Sequence, residues 1–424
     1  MNILASLIHA VILWSLRFSP FPELFVYPYL TARGFLPYAQ ILDQHFPGLM
    51  FFPINFFTLG FTDPAAFKLL LILIVLLQSA LVYKISRSRL AVLAYALWQP
   101  IFEGNYLWLD TFLGLFILPA FFFFTSGLWI WSGLFLGMGV VFKQTLIPLV
   151  AFAAIVLLWR RKFAALVKFS LAALFPSILI LAYFYSRGIL QDFWYWTVQF
   201  NLTTYAAGGR GGPNFSEIIK LAIPILVLIL VWFKNREFRL GLGWLIFSVI
   251  GAVARFDLLH LQPAIPFLAI AFSKLFSRSR NLAAGLFVLS ILLFGVFYIR
   301  APKYPAVLFF DKDTDRLVSA IKNRVSDSDK IFLLGVQPHL YALTGTLPPG
   351  NIFVFQFPWF LKIAGRRVLD SLKTDPPSLV VYDDQNRIDG QYLRDYASYL
   401  VEYVQSHYLP VYRQGSVTIY ARRN

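Results

Sequence analysis

The 424-residue sequence contains no cysteine and few histidines, and both features restrict its chemistry. Without cysteine the protein forms no disulfide, has no thiolate nucleophile and binds no metal through sulfur. No two histidines lie at a spacing typical of metal ligands, so a site built mainly from imidazoles is not expected. The five are His9, His45, His260, His339 and His407.

Charge of either sign is scarce. Charged residues make up 14% of the chain, hydrophobic residues make up 58%, and the mean hydropathy is +0.67. A soluble protein of this length could not bury so much apolar surface in its core. The composition therefore predicts a polytopic α-helical membrane protein whose partner is the lipid bilayer. The net charge of +16 comes from short basic clusters between apolar runs, which orient membrane proteins, so we expect no nucleic-acid partner.

Apolar runs recur along the first 300 residues, and we predict about eleven membrane spans. The first lacks the basic segment and cleavage site of a signal peptide, so we interpret it as a retained helix. The predicted spans are 2–18, 64–83, 90–104, 110–125, 127–143, 146–160, 164–186, 217–233, 240–254, 262–275 and 281–299.

Basic clusters follow the second, sixth, eighth and tenth spans, so they all lie on one side of the membrane. By the positive-inside rule that side is cytoplasmic. This predicts a multi-pass protein of the plasma (inner) membrane, with a cytoplasmic N-terminus and a C-terminal domain outside. The clusters are Lys84, Arg87 and Arg89; Arg160, Arg161 and Lys162; Lys234, Arg236 and Arg239; and Lys274, Arg278 and Arg280.

We therefore predict two domains, a membrane domain over 1–300 and an outer α/β domain over 301–424. The second domain alternates helical and strand patterns, with strands at Lys330–Leu334, Ser378–Tyr382 and Ser416–Ala421 and helices at Asp313–Val325 and Tyr392–Tyr403. Two outer segments of the membrane domain are long. The segment 19–63 is expected to hold a helix at Pro47–Leu59, and 187–216 contains a glycine-rich stretch, 208–213, predicted to be a flexible lid.

Eight of the nine carboxylates in the first 300 residues fall at or near the outer face, so any chemistry is expected there. Glu23 lies just beyond the first span, and Asp43 lies in the same loop. A carboxylate at the edge of the membrane suits general-base work on a hydroxyl, because a low dielectric raises its pKa towards neutrality. The alternative is that Glu23 and Asp43 cap short helices or pair with Arg33.

This first outer loop resembles that of the GT-C superfamily of membrane glycosyltransferases, especially the bacterial branch akin to protein mannosyltransferases and the aminoarabinose transferase of lipid A. Glu23 matches an acidic position where the family more often has Asp. Tyr38, after Pro37, and Asp43 match directly. His45 stands where Lys is frequent, and Pro47-Gly48 replaces a Pro-Pro pair.

Further resemblances follow along the chain. Asp110 matches a second outer acidic residue of the family. Lys143 follows a Gly133-x-x-x-Gly137 pattern, and Arg255 and His260 lie in a segment like the family's "R…HYxxxxxP". Simpler interpretations remain for each of them: close helix packing for the glycines, interfacial snorkelling for Lys143, an N-cap for Asp110, pairing of Arg255 with its neighbour Asp257, and an ordinary interface histidine for His260.

The resemblance implies an enzyme that transfers a sugar from a polyprenyl-phosphate donor to a lipid, glycan or protein acceptor, with inversion. It implies Glu23 as base, with Asp110 or Asp43 orienting the sugar or acceptor, and Tyr38, His45, Lys143, Arg255 and His260 binding substrate. No cofactor is assigned, and the sequence leaves a divalent cation open. The competing hypotheses are a polytopic transporter or flippase and a non-catalytic envelope-assembly protein; charges at mid-span would favour transport.

Overall fold

The computed structural model describes residues 3–48, 54–206, 212–250 and 256–423. The chain divides into two compact units, each assembled from three stretches of sequence. The first unit comprises Met1–Pro20, Ala65–Tyr183 and Arg210–Val307. The second comprises Phe21–Pro64, Phe184–Gly209 and Leu308–Asn424.

Each of the eleven segments predicted as spans contains a helix in its described part. Their bounds are Ile3–Ser15, Pro64–Ser86, Arg89–Ile101, Leu109–Thr125, Trp129–Phe142, Ile147–Trp159, Phe163–Ser186, Phe215–Lys234, Arg239–Val249, Ile265–Arg278 and Arg280–Arg300. A 3-10 turn, Gln144–Leu146, leads into the sixth of them.

Four of these helices are both long and apolar enough to cross a membrane: Pro64–Ser86, Phe163–Ser186, Phe215–Lys234 and Arg280–Arg300. Each has 20 to 24 residues, which is the length that about 30 Å of hydrocarbon requires. Large apolar side chains such as Leu171, Ile178 and Leu292 are more than half exposed on their surfaces. Such faces are tolerated in lipid rather than in water, so these helices indicate a membrane protein.

The Gly133-x-x-x-Gly137 pattern is explained by helix packing. A Cβ atom added at Gly133 would lie 2.2 Å from the carbonyl oxygen of Phe169, and one at Gly137 would lie 2.2 Å from that of Ala173. The helix Trp129–Phe142 therefore approaches Phe163–Ser186 backbone to backbone, as small residues permit in membrane proteins. The simpler interpretation of the two glycines is the one that the structure supports.

Buried amides fix the ends of several helices in the first unit. The side chain of Gln78 donates to the carbonyl oxygen of Thr111 at 2.6 Å and accepts from the Tyr95 hydroxyl at 2.5 Å. Gln99 donates to the carbonyl oxygen of Gly104 at 2.9 Å. Because an unpaired backbone group in a buried site costs free energy, these amides stabilise the turns that precede and begin Leu109–Thr125.

The second unit contains a four-stranded mixed sheet. The strands Ile331–Leu334 and Leu379–Asp383 are parallel neighbours, and Val417–Arg422 and Tyr408–Gln414 continue the sheet antiparallel in that order. Helices Lys312–Lys322, Leu340–Thr344, Pro358–Thr374, Leu393–Tyr396 and Ser398–His407 lie between or before these strands. The three predicted strands are present; the strand Tyr408–Gln414 and the helix Pro358–Thr374 were not predicted.

Residues 21–63 of the first long segment form part of the same unit. It contains the helix Glu23–Ala32 and the short strand Ile41–Leu42, which pairs in parallel with Phe353–Val354. The predicted helix Pro47–Leu59 is wrong over 54–59, where the chain runs as irregular backbone and a turn. Its residues 49–53 lie outside the described residues.

The second long segment, 187–216, is helical near its start instead of forming a loop. Leu190–Trp194 is α-helical, and the wider π-helical turns Tyr195–Gln199 and Asn201–Tyr205 continue it. Aromatic side chains explain the folding, because Trp196 and Phe200 pack against the ring of Phe360. Residues 208–211 of the predicted lid, 208–213, lie outside the described residues.

Candidate functional site

The predicted site residues that the structure describes fall into two groups, one in each unit. We call Glu23, Tyr27, Tyr38, Asp43 and His45 the glutamate cluster; it belongs to the second unit. We call Asp110, Lys143 and His260 the lysine cluster; it belongs to the first unit. Arg255 lies outside the described residues.

The glutamate cluster is built on a helix and a tight turn. Glu23 begins the helix Glu23–Ala32 after Pro22, and Tyr27, four residues later, lies on the same face of that helix. Tyr38 adopts a left-handed backbone conformation, with φ of 62°, and its N–H donates to the carbonyl oxygen of Ile41 at 2.8 Å. That turn returns the chain into the strand Ile41–Leu42, and Asp43 follows directly.

Asp43 is the hydrogen-bonding centre of the cluster. It is 2% exposed, and its Oδ2 accepts a hydrogen bond from the Tyr27 hydroxyl. Its Oδ1 accepts from the backbone N–H of His45 at 2.7 Å and lies 2.9 Å from Nδ1 of the same residue. The Tyr38 hydroxyl donates to the carbonyl oxygen of His45 at 2.8 Å. Both carboxylate oxygens of Asp43 are therefore engaged, which suits a positioning role.

Glu23 differs from Asp43 in its surroundings. Its Oε2 is shut off from solvent and has no hydrogen-bond partner among the described residues. Burial raises the pKa of Glu23 to about 7; a hydrogen bond from its own backbone N–H opposes the rise, the charge of Asp43 adds to it and His45 opposes it. A carboxylate with a pKa near neutrality is well matched to accepting a proton from a hydroxyl.

The alternative of an ion pair with Arg33 does not suit Glu23. Arg33 is the C-terminal cap of the helix that Glu23 begins, so ten residues and about 15 Å of helix separate them. The guanidinium of Arg33 lies 5.3 Å from the ring centre of Tyr29. Glu23 is therefore a buried carboxylate that does not form an ion pair with Arg33.

The lysine cluster joins three separate parts of the first unit. Asp110 lies in the first turn of Leu109–Thr125, and Lys143 lies at the extended break that ends Trp129–Phe142. His260 comes from the 3-10 turn Leu258–Leu261, which Asp257 caps with a hydrogen bond from the N–H of Leu259 at 2.8 Å. Thus Asp257 stabilises the turn, and Trp108 rather than Asp110 occupies the N-cap of its helix.

Short contacts hold the three side chains together. Asp110 Oδ2 lies 2.5 Å from Lys143 Nζ and 2.8 Å from His260 Nδ1, and Lys143 Nζ lies 3.2 Å from the same His260 nitrogen. Asp110 and Lys143 are both buried, at 3% and 5% exposure, whereas about a quarter of the His260 side chain is exposed. Lys143 is therefore not a snorkelling residue. His260 Nδ1 cannot donate to Asp110 and accept from Lys143 at the same time, so these contacts use at most two of the three donors of the ammonium, which retains capacity for an anion.

Sequence reasoning missed Tyr27, although its spacing of four residues from Glu23 was a readable signal. A metal centre is not formed by the residues that the structure describes, because no three His, Asp or Glu side chains among them converge as ligands would. Comparison of the sequence with protein-family models and with curated proteins finds no match.

Proposed function

We propose that the protein is an inverting membrane glycosyltransferase, which transfers a sugar from a polyprenyl-phosphate donor to an acceptor hydroxyl at the outer face of the membrane. The observation that carries this proposal is Glu23, whose carboxyl group has a pKa of about 7 and a buried oxygen with no hydrogen-bond partner among the residues that the structure describes. A structural carboxylate would be expected to have its oxygens paired, as those of Asp43 are.

The proposal includes the topology. Eleven spans cross the plasma (inner) membrane, the N-terminus is cytoplasmic, and the domain 301–424 lies outside. Glu23, Asp43, Asp110, Lys143 and His260 then all lie at outer ends of spans or in outer loops. A lipid-linked donor suits this location, because its phosphate is held at the surface of the bilayer.

The reaction needs one base and one leaving group. Glu23 accepts the proton of the acceptor hydroxyl while the oxygen attacks the anomeric carbon of the sugar. The bond from that carbon to the phosphate oxygen breaks, and the polyprenyl phosphate departs as an anion. One displacement with one base forms no covalent sugar intermediate, so the configuration inverts. Asp43, through Tyr27 and His45, positions the groups around the base.

The lysine cluster offers a different property, a positive charge that can bind an anion. A lysine ammonium that retains a donor is suited to a phosphate oxygen, and Arg255 would add a two-pronged contact. In this proposal Asp110 orients Lys143, and its negative charge compensates the positive charge of the buried ammonium.

The test uses the purified full-length protein in lipid nanodiscs and a panel of radiolabelled polyprenyl-phosphate sugars. Glu23→Gln keeps the size and hydrogen-bonding capacity of the side chain but removes the base. We expect sugar release from the donor to fall by about 10²- to 10⁴-fold. The matched control is Glu402→Gln, an exposed glutamate of the same unit, which should retain wild-type rates.

Melting temperatures of both variants establish that they are folded. If folded wild type released no sugar from any donor, or if Glu23→Gln retained wild-type rates, the proposal would be wrong. Transport of an intact lipid-linked sugar without cleavage would favour the flippase hypothesis.

A further inference from the structure

A half-open cleft lies in the second unit at the carboxyl ends of two parallel strands, Ile331–Leu334 and Leu379–Asp383. Its empty volume, open mouth included, is about 730 Å³. Gly335 and Gln337 follow the first strand, and Asn386 follows the second. In open α/β sheets, ligands bind in the crevice outside the carboxyl ends of the strands. The cleft lies at the corresponding ends of the parallel pair in this mixed sheet.

The lining of the cleft selects for a neutral ligand. Among its lining residues, all of which are described, there is no Asp, Glu, Lys, Arg or His. Tyr341 is the one titratable residue, and its hydroxyl donates to the carbonyl oxygen of Ile331 and accepts from the N–H of Leu333, both at 3.3 Å. A phosphate, a carboxylate or an ammonium group would find no opposite charge here. An uncharged ligand is the chemistry that fits.

Aromatic rings and amides provide the contacts. Phe353, Phe355 and Phe357 line one wall, with successive ring centres 5.4 Å apart. Gln337 is exposed, and Asn386 is half-buried beside Gly335. Aromatic faces beside neutral donors and acceptors suit the apolar faces and hydroxyls of sugar rings.

One amide is committed to structure. Gln356 accepts from the N–H of Gly335 at 2.7 Å and donates to the carbonyl oxygen of Leu333, and its backbone oxygen accepts from the Tyr396 hydroxyl at 2.8 Å. Gln356 therefore braces the floor of the cleft. Gln337 and Asn386 are the amides suited to a ligand.

The wall of the cleft also contacts the glutamate cluster. The ring of Tyr27 meets Phe353 and Phe355 edge to face, with ring centres 5.8 Å apart in each case. The strand that ends immediately before Asp43 is paired with Phe353–Val354. The pairing of these two short strands thus connects the aromatic wall of the cleft with Asp43, the residue proposed to position the candidate base.

We propose that this cleft binds a neutral saccharide and serves as the acceptor subsite. The acceptor role rests on the proposed function, whereas saccharide binding does not require it. The acceptor class that follows is a glycan with an uncharged sugar at its reactive end. The cleft binds its rings against the three phenylalanines and its hydroxyls through Gln337 and Asn386.

Binding is measured by saturation-transfer NMR on the full-length protein in nanodiscs, with mannotriose and chitotriose as neutral probes and trigalacturonic acid as the anionic one. We expect transfer to at least one neutral trisaccharide and much less to the anionic one. Asn386→Ala and Gln337→Ala should each weaken the binding about fivefold, since a hydrogen bond contributes about 1 kcal/mol. The matched control is Gln385→Ala, an exposed amide of the same turn that is not part of the lining.

The inference would be overturned if wild type bound no neutral trisaccharide, if it preferred the anionic one, or if both lining variants bound as the control does. These outcomes are independent of sugar transfer. Saccharide binding without turnover of any donor would contradict the proposed function alone. Donor turnover that depends on Glu23, without saccharide binding, would contradict the cleft alone.

In an enzyme with donor turnover, the lining variants should raise the KM for a saccharide acceptor about fivefold and leave donor hydrolysis without acceptor unchanged. A merely structural role of the two amides would lower the melting temperature and both rates together.

Discussion

The glutamate cluster and the lysine cluster each contain a carboxylate removed from water. They differ in how far its negative charge is compensated by neighbouring groups. Asp110 has a lysine ammonium at 2.5 Å and a histidine nitrogen at 2.8 Å. Glu23 has a buried oxygen without a hydrogen-bond partner in the part of the chain that the structure describes, and the charge of Asp43 nearby makes its ionisation harder. The first carboxylate is kept charged by a cation, whereas the second is held close to the balance between its two protonation states.

This difference gives the two carboxylates different properties: the ion pair of Asp110 matters for stability, and the pKa of Glu23 matters for proton transfer. A buried ion pair is costly to break because one charge is left without its partner, so the lysine cluster is a point on which folding depends. A carboxylate that is poorly compensated costs stability when it is charged but exchanges its proton near neutral pH, which is the property that a base needs. Removing the charge of Lys143 should therefore lower stability, whereas removing the charge of Glu23 should not.

The largest effect is expected from Lys143→Met. The substitution leaves Asp110 buried without its ammonium, and breaking one side of a buried pair costs about 3–5 kcal/mol. The melting temperature in detergent should fall strongly. The control Lys84→Met removes an exposed lysine at the end of a membrane-length helix and should change it little.

The double variant Asp110→Asn with Lys143→Met sharpens this prediction. It removes both charges, so a large part of the lost stability should return. If the double variant were as unstable as the sum of its parts, the energy would come from packing instead of charge compensation, and the contrast between the clusters would fail.

The second prediction concerns stability against pH in the glutamate cluster. The pKa of Glu23 is about 7 in the folded protein and 4.5 at its ordinary value, so the folded state binds the proton more tightly than the unfolded state. Glu23 therefore disfavours folding progressively as pH rises from 4.5 to 7, by roughly 3 kcal/mol in full. Glu23→Gln should abolish this part of the slope and match or exceed wild-type stability above pH 7.

The measurement is the melting temperature between pH 4.5 and 8 for wild type, Glu23→Gln and the control Glu402→Gln. An identical slope in all three proteins would show that Glu23 titrates as an ordinary exposed carboxylate does. Under the proposed function, the rate of sugar transfer should rise with pH through about 7, because the proposed base is the deprotonated form of Glu23.

The sequence could place the membrane helices because their signal is local. A mostly apolar run of membrane length, such as Pro64–Ser86 or Arg280–Arg300, predicts a membrane helix without reference to the rest of the chain. Asp110, Lys143 and His260 were each predicted as candidates, but their convergence required the contacts among three distant segments.

The errors have a common physical origin in tertiary contacts. Residues 187–206 read as a loop because glycine and polar residues interrupt the apolar pattern, yet Phe360 stabilises part of the segment as a helix by packing on Trp196 and Phe200. The strand Tyr408–Gln414 contains Pro410 and alternates poorly, so only its pairing with Val417–Arg422 identifies it.

The smallest expected effect is that of Tyr27→Phe, which tests whether Asp43 positions the base. The variant keeps the ring that packs on Phe353 and Phe355 and removes the hydroxyl that donates to Asp43. A hydrogen bond to a charged acceptor contributes about 1.5–3 kcal/mol, so stability should fall by about that amount. Without the hydrogen bond from Tyr27, the charge of Asp43 is less well compensated. It should then disfavour the ionised form of Glu23 more strongly, and the pH of half-maximal transfer should rise.

The control Tyr412→Phe removes a hydroxyl that donates to Gln414 at 3.3 Å and should leave the pH profile unchanged. If Tyr27→Phe lost stability without moving that profile, Asp43 would serve folding alone, and the glutamate cluster would resemble the lysine cluster more closely than the contrast requires.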